Sequence, residues 1–154
     1  MNLRIGEKNF YISYLMDISD PIYIKDRVLS LKHNAVIFDT RNIICMEQIY
    51  FALWRVQRAV KQQNMIAKDW AIEVLLQLSC TNQIEIALQF FNVDKKSKDV
   101  IIIQEDIYEE MGNSLAIDII NFNPSIEFLN FHNVQDDYCN FIISKGVELL
   151  LNHT

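Results

Sequence analysis

The sequence predicts an α+β fold, in which a mixed, mostly antiparallel sheet packs with several α-helices in a single domain. Strand-like and helix-like segments follow one another without the regular alternation that characterises parallel α/β sheets. The chain has 154 residues, of which 51% are hydrophobic, enough to form a buried core. Three glycines and two prolines are too few for a turn-rich all-β protein. Residues 1–154 are therefore predicted to form one domain.

The first forty residues contain a hairpin signal, a helix start and a strand. The stretch "LRIGEKNFYISYLM" has two β-like runs around a turn at Gly6. Asp20 can accept hydrogen bonds from free helix amides, and Pro21 suits the first helical position, so a helix is predicted to begin there. The apolar run "AVIFD" predicts a short buried strand.

The segment from Met46 to about Gln63 predicts an amphipathic helix. Its core-facing stripe is expected to hold residues spaced three and four apart: Met46, Ile49, Tyr50, Leu53, Val56 and Val60. A second stripe combines two aromatic rings with two cations: Phe51, Trp54, Arg58 and Lys61. This stripe suits a nucleotide, because rings stack on bases and cations meet phosphates. The alternative is that the rings pack under a neighbouring element and the charges are simply solvated.

Two further helices are predicted on either side of a polar hinge. From about Ala67 to Leu78 the chain is apolar almost all round, which indicates a central helix buried on most sides. Glu73 is its interior charge, and it is expected either to face a groove or to pair with an arginine such as Arg55. The hinge "SCTNQI" follows at residues 79–84, where small polar residues can end one helix and cap the next. The next helix is predicted to carry Ile84, Ala87, Leu88 and Phe91 on one side.

Less regular patterns fill the last third of the chain. "DVIIIQ" predicts a strand covered on both faces, and "EDIYEEM" predicts a short helix. Asn123 and Pro124 repeat the cap-and-proline signal, and a final helix is predicted from Asp136–Asp137 to about Leu151. Gly146, inside that helix, is either tolerated or a point of close contact.

No pattern in the chain indicates an active site, a cofactor or a metal. The glycines are too far apart for a phosphate-binding loop, and the three histidines lie in separate segments. The three cysteines form no C-x-x-C pair and are expected to be small buried thiols in a reducing compartment. With neither a signal-peptide pattern nor a long apolar span, a cytoplasmic location is expected, and also a nuclear one if the source is a eukaryote.

The net charge of −6 is unevenly distributed along the chain. Five basic residues and one acid lie between Arg41 and Lys68, a net of +4, so the other residues carry −10. A basic face on an acidic body fits either one local anion site or a solvated helix face.

From Phe51 to Val93 several short motifs occur in one order and spacing. They are Ala52, Arg58-Ala59-Val60, Asn64-Met65-Ile66-Ala67, Ile72-Glu73-Val74-Leu75, Ser79-Cys80-Thr81-Asn82-Gln83-Ile84 and Phe91-Asn92-Val93. This stretch resembles the small kinase-binding subunit family of the KEOPS complex, also called the TPRKB or PRPK-binding protein family. The hinge departs from the family pattern at Cys80 and Asn82, where glycine and arginine are usual, and Ala71 replaces another glycine.

The resemblance implies a non-catalytic subunit of the complex that makes the threonylcarbamoyladenosine modification of tRNA. Such a subunit binds the atypical kinase/ATPase subunit, modulates its activity and helps recruit tRNA by the single-stranded 3′ CCA end. On this hypothesis the tRNA-binding residues are Arg58, Lys61, Asn64, Asn82 and Gln83.

Two other functions stay open. One is a pure protein–protein adaptor without tRNA contact, whose apolar interface is expected around Val147 and Leu150 of the last helix. The other is a small enzyme using Cys80 or His132. Whether the isolated protein forms a homodimer is also left open.

Overall fold

The computed structural model describes residues 1–113, 126–132 and 144–146, which divide into two compact units. The sheet unit comprises Met1–Thr40 and the described residues of Asn92–Asn121. The helical unit comprises Arg41–Phe91 and the described residues that follow position 122. An antiparallel sheet with one helix in the first unit and a group of helices in the second confirm the α+β class, whereas a single domain over residues 1–154 stays a prediction.

The sheet unit is built on four antiparallel strands in the order β1-β2-β4-β3. They are β1 (Asn2–Ile5), β2 (Lys8–Leu15), β3 (Ala35–Asp39) and β4 (Val100–Glu105). Ile5 pairs with Lys8 across a two-residue turn that begins at Gly6, whose φ of 60° favours glycine, so the predicted hairpin is confirmed. The antiparallel strand β4 pairs with β2 and β3, and its residues from Val100 to Gln104 are fully buried, as predicted for "DVIIIQ".

Helix α1 (Pro21–Leu29) begins at the predicted cap and packs on β3. The Asp20 carboxylate accepts a hydrogen bond from the Tyr23 amide at 3.0 Å, which satisfies one of the free amides of the first turn. Val28 joins Leu15, Ile37 and Ile102 in the core of this unit. The helix therefore covers the sheet with an apolar side while its cap stays exposed.

Replacing Asp20 with alanine is expected to lower the free energy of unfolding by about 1 kcal/mol, because the Tyr23 amide loses its acceptor. Urea denaturation followed by circular dichroism measures the change. Asp20→Asn keeps an acceptor oxygen and should stay within about 0.5 kcal/mol of the parent chain. If both variants lost the same stability, charge rather than capping would be responsible.

The segment "EDIYEEM" is not helical, so that prediction is wrong. Asp106 ends β4 with a φ of 62°, and the Ile107 amide turns back to the Glu105 carbonyl at 2.7 Å. The buried side chain of Gln104 then accepts from the Glu109 amide and donates to its carbonyl, at 3.0 and 2.9 Å. These bonds satisfy the backbone amide and carbonyl of Glu109, which would otherwise bond within a helix.

The described part of the helical unit contains four helices of six residues or more, besides the helical residues 144–146. They are α2 (Met46–Gln62), α3 (Trp70–Ser79), α4 (Ile84–Phe91) and α5 (Ile126–Phe131), with α3 packed against both α2 and α4. The third helix starts later than predicted, because the Asp69 carboxylate accepts from the Ala71 amide and caps it. Nearly every residue of α3 is buried, which confirms the prediction of a central helix.

Aromatic rings join α4 to α5. The Phe128 ring lies edge-on to Phe90 at 5.0 Å, to Phe91 at 5.7 Å and to His132 at 4.9 Å. In α4 the buried positions are Ala87, Phe90 and Phe91, whereas Ile84 at the start of the helix is 43% exposed.

Several predictions fall on residues outside the described part. These are the cap at Asn123 and Pro124, the last helix apart from the helical residues 144–146, and the interface residues Val147 and Leu150. Cys139 also lies outside. Cys45, which precedes α2, is disulfide-bonded, so the prediction of reduced cysteines is wrong for this residue, while Cys80 is not in a disulfide.

Candidate functional site

Helix α2 presents two different surfaces, and the buried one is shifted from the predicted stripe. Ile49, Leu53 and Val56 are buried as predicted, but Tyr50 and Val60 are 38% and 47% exposed. Their places are taken by residues whose burial was not predicted: Gln48, Ala52, Arg55 and Ala59. Alanine side chains are small and only weakly hydrophobic, so the spacing of the larger apolar residues predicted the centre of the buried face incorrectly.

The exposed surface of α2 combines aromatic rings with cations. The Arg58 guanidinium carbon lies 5.6 Å from the centre of the exposed Trp54 ring, a cation–π contact. Tyr50 lies edge-on to Phe51 at 5.2 Å, one turn before Trp54, and Lys61 is exposed near the end of the helix. The predicted aromatic and basic stripe is therefore a surface feature, with Phe51 half-buried.

The hinge after α3 is formed by capping interactions. Cys80 ends α3 in the left-handed region with a φ of 54°, and the Ser79 hydroxyl donates to the Leu75 carbonyl at 2.8 Å. The Thr81 hydroxyl accepts from the Gln83 amide at 3.2 Å. These contacts account for the small polar residues of "SCTNQI", and they leave the side chains of Asn82 and Gln83 exposed.

The structure places the five predicted tRNA-binding residues at two ends of the α2–α3 pair. Gln48, at the start of α2, donates to the Leu78 carbonyl near the end of α3 at 2.9 Å, so Asn82 and Gln83 follow at that end. Arg58 lies ten residues after Gln48, about 15 Å further along the helix axis. Arg58 and Lys61 share the other end with Asn64, whose amide donates to the Ala59 carbonyl at 3.0 Å just after α2.

A buried polar network joins α2 to α3. The Arg55 side chain donates to the Gln77 side-chain oxygen at 3.0 Å and to the Gln77 backbone carbonyl at 3.2 Å. Gln77 donates in turn to Glu73 at 3.3 Å, and Glu73 also accepts from the Ala67 amide at 2.7 Å. The predicted link between Glu73 and Arg55 therefore runs through Gln77 rather than through a direct ion pair.

Arg55 is unusual because it is a cation that is only 1% exposed. Its Nη1 atom has no hydrogen-bond partner among the residues that the structure describes. Burial lowers the pKa of its guanidinium. A Cβ atom added at Gly146 would overlap the guanidinium, so Gly146 is the point of close contact that the sequence left as one alternative.

Two further titratable groups lie at the end of α3. Burial raises the pKa of the Cys80 thiol to about 11, despite the opposing effects of the Arg55 and Lys145 charges. Burial also lowers the pKa of His132, which hydrogen-bonds the Ser79 backbone and is only 5% exposed. A thiol that stays protonated at neutral pH is a weak nucleophile, which disfavours the enzyme hypothesis for Cys80.

The sequence indicated Glu73 and Arg55, at the two ends of this network, but not Gln77 between them. It also gave no indication that Gln48 is buried, since glutamine is usually exposed. The four-residue spacing from Glu73 to Gln77 on one helix was the available signal.

Within the described ranges, no cluster of three or more His, Cys, Asp or Glu side chains could hold a metal ion. Over those same residues, no helix combines the length and apolar character that a membrane span requires.

Comparison with known proteins identifies relatives over most of the chain. A sequence model of the kinase binding protein CGI-121 family matches residues 15–138. A relative from Schizosaccharomyces pombe, the EKC/KEOPS complex subunit cgi121, is 24% identical over 102 residues. That alignment covers 65% of this chain and 59% of the relative, so the chain spans less than two thirds of the relative's length. The family match extends on both sides of the Phe51–Val93 motifs, and the chain belongs to the kinase binding protein CGI-121 family.

Proposed function

We propose that this protein is a non-catalytic subunit of a KEOPS complex that binds the atypical kinase/ATPase subunit and modulates its activity. The observation that carries the proposal is the CGI-121 family match over residues 15–138, supported by the name of the fission yeast relative. The protonated Cys80 thiol supports a role without covalent catalysis.

Affinity capture of the chain from its native cell tests this proposal. The expected result is recovery of an atypical kinase together with the catalytic subunit of the complex. Recovery of neither protein would contradict the proposed function. Sedimentation of the isolated chain over a range of concentrations tests whether it forms a homodimer.

The proposal includes recruitment of tRNA by its 3′ CCA end. Single-stranded ends are bound by stacking and by phosphate contacts, which exposed rings and cations can supply. Trp54, Arg58 and Lys61 offer these groups on one helix surface, and Asn64 lies at the same end. Asn82 and Gln83 would have to act as a second, separate contact.

Replacing Arg58 and Lys61 together with glutamate is expected to weaken tRNA binding by the assembled complex about tenfold or more at low salt, because two phosphate contacts become repulsive. Filter binding at several salt concentrations measures the affinity and its salt slope. The matched control is Lys95→Glu with Lys96→Glu, the same charge change at exposed positions of the sheet unit. Equal losses in both double variants would indicate a general charge effect rather than a tRNA site.

The alternative is a pure protein–protein adaptor without tRNA contact. It is favoured by the separation of the five candidate residues between two ends of the α2–α3 pair. A tRNA trimmed of its CCA end distinguishes the two functions. Recruitment by the CCA end predicts a marked loss of affinity for the trimmed tRNA. The adaptor function predicts that this subunit adds nothing to the affinity of the complex for intact tRNA or for trimmed tRNA.

A further inference from the structure

The sheet unit contains a cavity of about 300 Å³ that no proposed function uses so far. It lies where the end of β2 passes into α1, and the segment Met111–Asn113 closes one side. Its volume is at the lower end of the range of ligand pockets and is large enough for one long side chain.

The cavity has an apolar wall and a partly exposed rim. Leu15 and Met111 are buried in the wall and belong to the core cluster of this unit, with Ile18 and Ile24 packed against that cluster. At the rim, Met16 is 45% and Tyr23 is 57% exposed. Tyrosine is enriched among the residues that dominate protein interfaces, since it offers an aromatic face and a polar tip.

The charge of the cavity has one sign. Asp17 and Asp20 are both exposed at the rim, and the described residues that line the cavity include no base. Neither Asp17 nor Asp20 is in an ion pair with a residue that the structure describes. The cavity therefore presents two carboxylates and an aromatic ring above an apolar wall.

The loop that carries these groups is fixed in place before any partner binds. The Asp17 amide donates to the Asp99 carboxylate at 3.0 Å, and the Ile18 amide donates to the Lys98 carbonyl at 2.9 Å. The Asp20 carboxylate is held by its capping bond to Tyr23. A preformed site costs little ordering entropy when it is filled.

We propose that this cavity receives an arginine or lysine side chain of the kinase subunit. The inference rests on the proposed function, because it assigns the surface that would bind the kinase subunit. An arginine or lysine has an apolar stem that matches the wall and a cation that matches the two carboxylates. The ring of Tyr23 lies at the rim, where it adds a cation–π contact. A neutral partner side chain would gain no charge attraction there, and an acidic one would be repelled by both carboxylates.

The test uses the full chain and the recombinant kinase subunit from the same organism. The double variant Asp17→Asn with Asp20→Asn removes both charges and preserves local structure, because asparagine tolerates a φ of 52° at position 17 and still caps at position 20. The matched control is Asp26→Asn, the loss of an exposed carboxylate on α1 outside the cavity. Calorimetry at low and high salt measures the affinity of each chain.

We expect the double variant to bind the kinase subunit about tenfold more weakly at low salt, with a shallower salt dependence, while the control stays within about twofold. Tyr23→Leu, which keeps apolar volume but removes the aromatic face, should also weaken binding. If the parent chain and the double variant bound equally, the cavity would not be the docking site, although the proposed function would stand. If the parent chain bound no kinase subunit, both the proposed function and this inference would be overturned.

Discussion

Replacing Gly146 with valine is expected to lower the free energy of unfolding by about 3 kcal/mol, the upper end of the usual cost of overpacking. The added Cβ would overlap the Arg55 guanidinium, which cannot move freely because two hydrogen bonds to Gln77 hold it. This cost exceeds the gain of up to about 1 kcal/mol that comes from removing a glycine from a helix. Denaturant unfolding monitored by circular dichroism gives the free energy.

Ser144→Val provides the matched control for Gly146→Val. Ser144 lies in the same helical segment but is exposed, so its replacement should change stability by no more than about 0.5 kcal/mol. Repeating Gly146→Val in an Arg55→Met background should recover part of the loss, because the methionine side chain can adapt. An equal cost at positions 144 and 146 would contradict the contact with Arg55.

The second large effect is expected for Gln77→Leu, with a loss of about 3 kcal/mol, because it leaves the buried charged groups of Arg55 and Glu73 each without one of its hydrogen-bond partners. Leucine has a similar size, so the cost comes from lost hydrogen bonds rather than from a cavity. Arg55 would lose its bond from Nε, in addition to its already unpartnered Nη1, and Glu73 would lose the bond from Gln77. The same denaturation experiment measures this change.

A matched control and a double-variant cycle test the origin of the Gln77 effect. Gln89→Leu makes the same replacement at an exposed site on α4 and should change stability by about 0.5 kcal/mol or less. Combining Gln77→Leu with Arg55→Met removes the cation itself, so the double variant should lose less than the sum of the single losses. Additive losses would show that Arg55 and Gln77 act independently.

Local sequence signals predicted the elements of the sheet unit well. The hairpin turn, the cap at Asp20 with Pro21, and the two buried strands depend on neighbouring residues alone. A turn that needs a positive φ, or a carboxylate three residues before a free amide, is visible without knowledge of the fold. The short helix predicted for residues 105–111 failed because the backbone of Glu109 bonds the Gln104 side chain instead.

The candidate site was only partly predictable. The exposed stripe on α2 was found because Trp54, Arg58 and Lys61 share a helical spacing. The separation of these three residues from Asn82 and Gln83 was not predicted, because it depends on how α2 packs against α3. The acidic cavity brings the β2–α1 loop together with Met111, about ninety residues away along the chain, and spacing carries no signal for that contact.

The sequence by itself determined the α+β class, the position of most helices and strands, and the family resemblance, because these depend on local spacing and on residue type. The tertiary structure alone decided which polar residues are buried. Arg55 and Gln77 look like surface residues in the sequence, yet they lie inside the helical unit and bond each other. Burial depends on contacts between helices that are distant in the chain, and those contacts also give Gly146 its role beneath the Arg55 guanidinium.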